Sequence, residues 1–389
     1  MIFSNKYIDY SKKTKIELYL TLILFLVLSN KTIVSIGKKL LHLSLAIKLP
    51  ILGIIKKTVF NHFCGGENIN QSKKTIKKLG ENNIKTILDY SVEGQDDETS
   101  FQNTFNEIIK NIEEAECNKL VPFCVFKMTG IAEFKLLNKV NNKDKLSEKE
   151  MVDFQLLNTR LDLICEKAKK NKIPILIDAE ESWIQDTIDQ LTEAMMKKYN
   201  KYEVIIYNTI QLYRSDRLKY LIDLHKKAKK EKYKLGFKLV RGAYMEKERN
   251  RAKINNYKSP INISKKKSDE DFNKAAKYCI ENIDMINICF GTHNEESTKM
   301  IIDLMSEKKI KNNDYRIYFS QLLGMSDNIS FYLGYYNYNV AKYVPYGPVK
   351  EVLPYLIRRA EENSSIAGQT NREITRMREL IKKYSNHTD

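Results

Sequence analysis

The stretch PILIDAEESWIQDTIDQLTEAMMKKYNKYEVIIY, residues 174–207, decides the fold because it joins two short apolar runs through one helical segment. Pro174–Asp178 and Glu203–Tyr207 are apolar and rich in branched residues, as is typical of buried strands. Trp183–Lys198 between them has the length and periodicity of a helix. Two strands joined by such a crossover run parallel. The stretch therefore predicts one βαβ unit.

The same alternation recurs along the chain from about residue 80. The other predicted strands are Lys85–Asp89, Pro122–Lys127, Gly236–Val240, Met285–Phe290, Tyr315–Phe319 and Val340–Val344. The other predicted helices are Phe101–Glu116, Glu148–Ala168, Arg217–Lys230, Asp269–Asn282 and Glu295–Ser306. Eight such units favour a closed (βα)8 TIM barrel, an α/β fold, over an open doubly wound sheet. The open sheet stays as an alternative, although no Gly-x-Gly-x-x-Gly follows the first strand.

The pattern divides the chain into an N-terminal helical region, residues 1–80, and a barrel, residues 81–389. Leu18–Leu28 (LYLTLILFLVL) is the most hydrophobic stretch. It is shorter than the ~20 apolar residues that span a bilayer, and no small-residue cleavage site follows it. We therefore predict a buried core helix. Two long connections, Thr129–Leu146 and Glu248–Lys267, are interpreted either as lids or as solvated insertions.

Composition excludes several classes of function. The formal charge of +17 comes mainly from lysines spread along the chain, and no nucleic-acid-binding motif accompanies them. Nucleic-acid binding is therefore not expected, whereas a weak attraction to an anionic membrane surface stays open. The six cysteines form no Cys-x-x-Cys pair and are predicted to be small core residues in a reducing compartment. No second histidine lies at metal spacing from His293, so no metal site is expected.

Polar side chains follow nearly every predicted strand. They are Asp89, Lys127, Asp178, Gln211, Arg241–Tyr244, Thr292–Asn294, Gln321 and Tyr343. In parallel barrels the carboxyl ends of the strands meet at one rim, where functional groups are held. A purely structural barrel has little use for so many polar groups at one rim. The pattern therefore indicates an enzyme.

The segment PYLIRRAEEN, residues 354–363, carries the most informative group. Pro354 is typical of the first turn of a helix, and Leu353, Leu356, Ile357 and Ala360 form an apolar stripe that is predicted to pack on the barrel. Tyr355, Arg358, Arg359 and Glu362 share another face at helical spacing. Two guanidiniums side by side can grip a carboxylate or phosphate in bidentate fashion. A solvated helix face with an ordinary Arg–Glu pair is the alternative.

Two single residues and two short segments can serve the same rim. Asp178 can orient a cation or cap the following helix, and Lys127 can contact a carboxylate or extend to solvent. Gly242 and Ala243 allow a flat ligand to approach closely, and Tyr244 can cover it. Thr292-His293-Asn294 offers side-chain groups and backbone N–H donors at the start of a helix, which suits a pyrophosphate.

Taken together, these segments resemble the proline dehydrogenase family, in its form without a fused aldehyde dehydrogenase. The matching blocks are FKMTG from 126, LIDAEES from 176, KLVRGAY from 238, FGTHNE from 290, QLLGM from 321 and KYVPYGPVKEVLPYLIRRAEENSS from 342. The resemblance covers nearly the whole chain. It implies a distorted (βα)8 barrel whose last helix lies over the mouth, with FAD bound non-covalently at the carboxyl-terminal rim.

The resemblance also implies roles for individual residues. Asp178 and Lys238 are implied as catalytic residues, Asp178 by supporting the arginine clamp. The positions implied to bind L-proline are Lys127, Ala243, Tyr244, Leu322, Tyr343, Tyr355, Arg358 and Arg359. Leu322 is preferred to Leu323 in the QLLGM block. The positions implied to contact FAD are Ala179, Gln211, Lys238, Val240, Gly242, Ala243, Tyr244, Thr292, His293, Asn294 and Gln321.

The implied activity is oxidation of L-proline to Δ1-pyrroline-5-carboxylate, the first step of proline catabolism to glutamate. Electrons are expected to pass to a quinone, and the protein to be cytoplasmic and peripheral on the inner face of the membrane. Lys238 stands where many bacterial members carry arginine, so the bidentate fork is lost there. The alternatives are a hydroxyproline dehydrogenase or another amino-acid-oxidising flavin barrel, and a basic binding protein without cofactor. Tyr343 argues against hydroxyproline because its phenol crowds a ring hydroxyl.

Overall fold

The computed structural model describes residues 3, 15–46, 51–92, 94, 96–365, 374–375, 377–379 and 381–382. Eight parallel strands form a closed barrel in chain order, so the predicted α/β barrel is confirmed and the open sheet is wrong. The strands are β1 (Lys85–Tyr90), β2 (Phe123–Lys127), β3 (Ile175–Asp178), β4 (Ile206–Gln211), β5 (Leu235–Val240), β6 (Ile286–Gly291), β7 (Ile317–Leu322) and β8 (Val340–Tyr346). The barrel closes where β1 pairs with β8, from Lys85 opposite Ala341 to Tyr90 opposite Tyr346.

Helices precede the barrel and follow each of its strands. Those before β1 are α1 (Lys15–Leu28), α2 (Lys31–Ala46), α3 (Leu52–Ile55), α4 (Asn61–Phe63) and α5 (Ile69–Gly80), with a π-helical turn at Lys56–Phe60. Those after β1 are α6 (Glu98–Cys117), α7 (Phe134–Asn142), α8 (Glu148–Asn171), α9 (Ser182–Tyr199), α10 (Arg217–Glu231), α11 (Met245–Ile254), α12 (Lys265–Glu281), α13 (Glu295–Glu307), α14 (Asp327–Tyr335) and α15 (Val349–Ser365). The division at residue 80 stays a prediction; it coincides with the last residue of α5.

Alternation along the strands separates two apolar layers. Ile87, Val125 and Leu176 belong to a cluster inside the barrel, together with Tyr343. Their sequence neighbours Leu88 and Phe126, for example, join a larger cluster formed with the surrounding helices. Because successive strand residues point to opposite faces, this alternation fixes which rim residues can face the barrel mouth. By this alternation, the side chains that point into the barrel include those of Lys127, Asp178, Lys238 and Leu322.

Two predicted strands are displaced from the observed ones. The predicted strand Glu203–Tyr207 starts three residues too early, since β4 begins at Ile206. The backbone N–H groups of Ile205 and Ile206 donate to the Asn200 side-chain oxygen, each at 2.9 Å, and so do not pair with a neighbouring strand. Tyr315–Phe319 was also too early. The Arg316 guanidinium donates hydrogen bonds to Asp314 and Asp284 just before the start of β7. The strand itself begins at Ile317 and continues to Leu322. Both strands continue through polar residues that an apolar criterion passes over.

The two long connections are not plain loops. The first holds a 3-10 turn, Met128–Gly130, and then α7, whose Leu136 and Leu137 are buried. The second begins within α11, a polar helix whose buried residues are Glu248 and Ala252. Apolar residues at helical spacing explain α7, whereas α11 lacks an apolar stripe, and composition alone did not reveal it.

The prediction of a buried core helix at Leu18–Leu28 is wrong. Leu18, Phe25 and Leu28 are buried, but Leu20 is 57 % and Ile23 54 % exposed. A helix that is apolar on all sides can bury only the side that meets the body of the protein. Among the described helices, none alone has the length and apolar character to cross a membrane; the bent pair Ile16–Leu28 and Thr32–Leu41, which meet at 96°, meets these criteria only when taken together. The cysteine prediction is wrong at Cys117, which is exposed, whereas the other five are buried.

The last helix, α15, begins at Val349, so Pro354 lies inside it and not in its first turn. Its apolar residues Leu353 and Leu356 cluster with Leu28, Phe60 and Phe63 of the N-terminal helices. The same cluster includes Leu322 at the end of β7 and Met325 just beyond it, so the stripe packs between the N-terminal helices and the barrel rim. The N-terminal helices cover that face of α15, which leaves another face of the helix toward the barrel mouth.

Candidate active site

Three predicted residues meet in the barrel interior although they come from three strands that are not neighbours. Lys238 on β5 forms an ion pair with Asp178 at the end of β3 and donates a hydrogen bond of 2.7 Å to the Tyr343 hydroxyl on β8. The Lys238 side chain is 6 % and the Asp178 side chain 17 % exposed. Burial raises the pKa of the Tyr343 phenol well above its ordinary value, and the Asp178 charge acts in the same direction. The phenol is therefore neutral and can accept from Lys238.

The arginine pair on α15 is not a solvated helix face. The Arg359 side chain is buried, and its guanidinium lies 5.7 Å from the centre of the Tyr355 ring. The Arg358 guanidinium lies 5.6 Å from the Tyr244 ring and 6.0 Å from the Tyr355 ring. Contacts of this kind attract a cation to an aromatic face. Two guanidiniums and two aromatic rings are thus held together, whereas the Glu362 side chain lies outside the described residues.

An open cavity of about 1450 Å³ lies between α15 and the barrel rim. Five predicted site residues line it: Lys127, Gly242, Ala243, Tyr244 and Arg358. Pro354, Ile357 and Glu361 of α15 line it too, so the last helix covers the mouth as predicted. Burial raises the pKa of Tyr244, and the nearby Arg358 and Lys127 charges oppose that rise. The cavity therefore joins the arginine helix to the ends of β2 and β5.

Arg241 organises the rim between β5 and β6. Its guanidinium pairs with Asp269 at 2.5 Å and donates to the hydroxyls of Thr292 and Ser297, each at 2.9 Å. Asn294 caps α13 by accepting from the Ser297 N–H at 2.9 Å. A cation and two hydroxyls are therefore fixed beside the first turn of a helix, where the helix dipole favours an anion.

Several predicted FAD-contacting side chains already have partners within the chain. Gln211 donates to the Glu180 carbonyl at 2.7 Å, and Gln321 donates to the Thr292 carbonyl at 3.2 Å. His293 shares a hydrogen bond of 3.0 Å with Ser326. Burial lowers the pKa of His293 to about 3, reinforced by the positive charges of Lys342, Arg359 and Arg241, so its ring is neutral.

The remaining predicted positions differ in their surroundings. Leu322 packs against the interior cluster, whereas Leu323 packs against the outer one, which favours Leu322 as the residue that faces a ligand. Ala179 and Val240 are half-buried at the ends of β3 and β5. Gln321 has the outward parity, and its amide oxygen accepts from the Ser330 hydroxyl of α14 at 2.8 Å.

Among the cavity-lining residues to which sequence reasoning assigned no ligand contact are Thr129, Glu180, Tyr213 and Arg241. Glu180 is buried at 3 % exposure, and both of its carboxylate oxygens accept from Thr129. Burial raises the pKa of Glu180 to about 7, against the opposing effects of Thr129 and Lys127. Glu180, Arg241 and Thr129 stand within the FKMTG, LIDAEES and KLVRGAY blocks, so the signal was present in residues already singled out.

The cavity residues suit a flavin dinucleotide. Gly242 has φ +131°, and a Cβ there would lie 2.4 Å from the Tyr213 ring, so only glycine fits this close approach. The Tyr213 hydroxyl is buried beside this backbone at the cavity. The cavity is larger than the ~300–1,000 Å³ of a typical small-molecule site. The side-chain-free backbone at Gly242 and the Tyr213 hydroxyl fit a planar ring system. The Arg241 guanidinium, with the hydroxyls of Thr292 and Ser297, fits a pyrophosphate joined to it.

Comparisons with known proteins agree with this arrangement. The proline dehydrogenase family model matches residues 72–372. The carbapenem antibiotics biosynthesis protein CarD of Pectobacterium carotovorum subsp. carotovorum is 31 % identical over 323 residues, which are 82 % of this chain and 83 % of that protein. The mitochondrial proline dehydrogenase 1 of Dictyostelium discoideum is 30 % identical over 420 residues, 96 % of this chain and 73 % of that protein.

A solved structure shares the fold. Proline utilization A (PutA) from Bdellovibrio bacteriovorus, inactivated by N-propargylglycine, superposes with a TM-score of 0.71 at 20 % identity, over 93 % of this chain and 39 % of that one. The closed barrel is therefore common to both, while the family assignment comes from the sequence matches. The chain belongs to the proline dehydrogenase family of oxidoreductases.

Proposed function

We propose that the protein oxidises L-proline to Δ1-pyrroline-5-carboxylate with FAD as the hydride acceptor. The observation that carries the proposal is the convergence of Arg358, Tyr244 and Lys127 on one cavity beneath α15. An amino acid with one carboxylate and a small apolar ring matches this combination of cations and aromatic faces.

The proposed roles follow from charge and position. Arg358, Arg359 and Lys127 hold the carboxylate, and the rings of Tyr244, Tyr355 and Tyr343 with Leu322 enclose the pyrrolidine ring. The Asp178–Lys238 pair keeps a cation in the barrel interior, where Lys238 also orients the Tyr343 phenol. Arg241, Thr292 and Asn294 sit where a pyrophosphate is expected, and Gly242 and Ala243 leave room for the flavin ring. Ala179, Gln211, Val240, His293 and Gln321 complete the proposed FAD surroundings.

FAD, when bound, would supply the two-electron acceptor for the hydride that proline loses from the ring CH2 next to nitrogen, while the nitrogen lone pair forms the C=N bond and the N–H proton passes to solvent. The chain contributes orientation: a carboxylate fixed at one end of the ring determines which carbon is presented for oxidation. The position of α15 beside the open cavity brings the arginines close to the bound ring, where partial shielding from water would strengthen these electrostatic contacts.

The visible spectrum of the purified protein tests the proposal. We expect flavin absorption bands, either as isolated or after reconstitution with FAD, and their loss on anaerobic addition of L-proline. Protein that neither contains nor takes up FAD, or a flavin that L-proline leaves oxidised, would refute it. D-proline and 4-hydroxyproline serve as matched substrates that share the ring and carboxylate.

We further propose that a membrane quinone accepts the electrons and that the protein lies peripherally on the cytoplasmic face. The support is the exposed apolar side of α1 and α2, which includes Leu20, Ile23 and Ile36, and the position of Lys38 from α2 at the cavity. Co-sedimentation with phosphatidylglycerol vesicles tests this: Leu20→Asn/Ile23→Asn should lower the bound fraction severalfold. Ile263→Asn, at a site 96 % exposed elsewhere on the surface, is the control. Equal binding by all three proteins would contradict the proposed docking surface.

A further inference from the structure

Glu180 is a buried carboxyl group at the cavity that the proposed chemistry leaves without a role. It lies two residues beyond the end of β3, is 3 % exposed, and lines the cavity with Lys127 and Tyr244. A carboxyl group in such a place loses its hydration and needs strong donors to compensate. The residues that donate hydrogen bonds to this carboxyl group therefore indicate its role.

Its two carboxylate oxygens have different donors from one residue. Oε1 accepts the backbone N–H of Thr129 at 3.1 Å, and Oε2 accepts the Thr129 hydroxyl. A carboxylate offers each donor its own oxygen, whereas an amide has a single acceptor oxygen that the two donors would have to share. The contact thus fixes the backbone as well as the side chain of Thr129.

Glu180 is itself fixed by its backbone. Its N–H donates to the Gln185 side chain at 2.8 Å, and its carbonyl accepts from Gln211 at 2.7 Å. These contacts tie the segment after β3 to α9 and β4. The carboxyl group therefore acts from a rigid support.

Thr129 lies two residues after Lys127, the last residue of β2. Lys127 stands opposite Asp178 in the β2–β3 ladder, so the strand itself is in register with its neighbour up to that point. Beyond Lys127 the chain leaves the sheet as a 3-10 turn, Met128–Gly130. Burial of Met128 anchors one side of this turn, and the Thr129–Glu180 contact anchors the side at the cavity wall.

We propose that Glu180 is a positioning residue that acts through Thr129 to hold Lys127 in place for the substrate carboxylate. This inference rests on the proposed function, because it assigns Lys127 to the carboxylate. It assigns Glu180 to substrate binding and not to the hydride transfer.

Steady-state and anaerobic stopped-flow kinetics on the FAD-loaded protein test the inference. Glu180→Gln removes one acceptor, and Thr129→Val removes the hydroxyl at nearly constant volume. Each is expected to raise the KM for L-proline about tenfold while the limiting rate of flavin reduction changes less than threefold. The double variant should be no worse than the poorer single variant, because both changes break one contact. Thr129→Ser, which restores a hydroxyl, should bring the KM back toward the wild-type value.

The outcomes separate this inference from its competitors. Glu113→Gln, an exposed glutamate on α6, is the matched control and should leave both constants unchanged. A lower limiting rate at unchanged KM in Glu180→Gln would overturn the inference in favour of a role in proton transfer. A lower melting temperature with unchanged KM would overturn it in favour of a purely structural role, as would effects that multiply in the double variant. If wild-type protein fails to bind FAD or oxidise L-proline, the proposed function fails first and independently.

Discussion

The Lys238 ammonium lies 2.7 Å from the Tyr343 hydroxyl oxygen and 4.6 Å from the centre of the same ring. The two residues come from β5 and β8, which are not neighbours in the barrel, so the lysine side chain crosses the interior. Asp178 completes the group from β3. One cation thus fixes the orientation of both an acid and a phenol.

Lys238→Met should lower the free energy of unfolding by about 3 kcal/mol, because it leaves the largely buried Asp178 carboxylate without its cation. The double variant Lys238→Met/Asp178→Asn should regain most of that loss. Urea unfolding of the wild type, Lys238→Met, Asp178→Asn and the double variant at the same FAD concentration measures both effects. Additive losses in the double variant would show that the pair is not coupled.

Tyr343→Ser should shift substrate preference toward 4-hydroxyproline. Removing the ring opens space beside the pyrrolidine ring, and we expect the ratio of kcat/KM for hydroxyproline over proline to rise at least tenfold, or about 1.4 kcal/mol. Tyr343→Phe retains the ring and loses only the hydrogen bond to Lys238, so its ratio should stay near that of the wild type. A similar shift in both variants would assign the effect to the hydroxyl and not to the volume of the ring.

Arg359→Met should raise the KM for L-proline about 100-fold, corresponding to ~2.7 kcal/mol, while FAD stays bound. The side chain is buried, so the substrate carboxylate would lose a desolvated cation. Arg359→Lys keeps the charge without the bidentate fork and should fall between the two. Kinetics with parallel flavin content measures this; unchanged kinetics in Arg359→Met would remove the residue from the carboxylate site.

Glu180 should make stability depend on pH. Its pKa in the folded protein is raised to about 7 from an ordinary 4.5, mainly by burial, with Lys127 on β2 opposing and Glu181 on its own segment reinforcing the rise. Because the folded state binds this proton more tightly, the contribution is present below pH 4.5 and is lost as pH rises through 7. The phenol of Tyr244 also faces this group.

Glu180→Gln lacks this proton equilibrium. Relative to the wild type, it should therefore gain roughly 2.5 kcal/mol in free energy of unfolding between pH 5 and pH 8. Urea titrations of both proteins at several pH values, with equal FAD, measure the difference. A difference that stays constant across this range would assign the pH dependence to other groups.

The barrel could be predicted from sequence because its signal repeats. Each unit contains a short apolar run and a helical segment, and an error of three residues at β4 does not change the topology. The polar residues at the strand ends follow from that topology, since parity and strand direction place Lys127 and Asp178 at one rim. The Lys238–Tyr343 contact could not be predicted, because it depends on barrel curvature that brings non-neighbouring strands within reach.

The helices outside the barrel were predicted less well for a physical reason. The apolar sequence of a segment such as α1 predicts that it is buried, but it does not predict which residues it packs against. The same limit applies to Leu353 and Leu356, whose apolar character was evident while their partners, Leu28 and Phe60 among them, were far away in sequence. Glu180 was missed because the sequence does not distinguish a buried glutamate from an exposed one. Only the fold shows that its carboxylate is buried and bound to Thr129.

The pairing of β1 with β8 has a consequence for biosynthesis. Its ladder runs from Lys85–Ala341 to Tyr90–Tyr346, so the first strand made is completed only by the last. Until translation has passed Tyr346, the emerging barrel has an open edge with unsatisfied hydrogen-bonding groups on β1. A stalled or shortened product that lacks β8 could not close the barrel, and it would offer the unpaired edge of β1 to chaperones or to other chains.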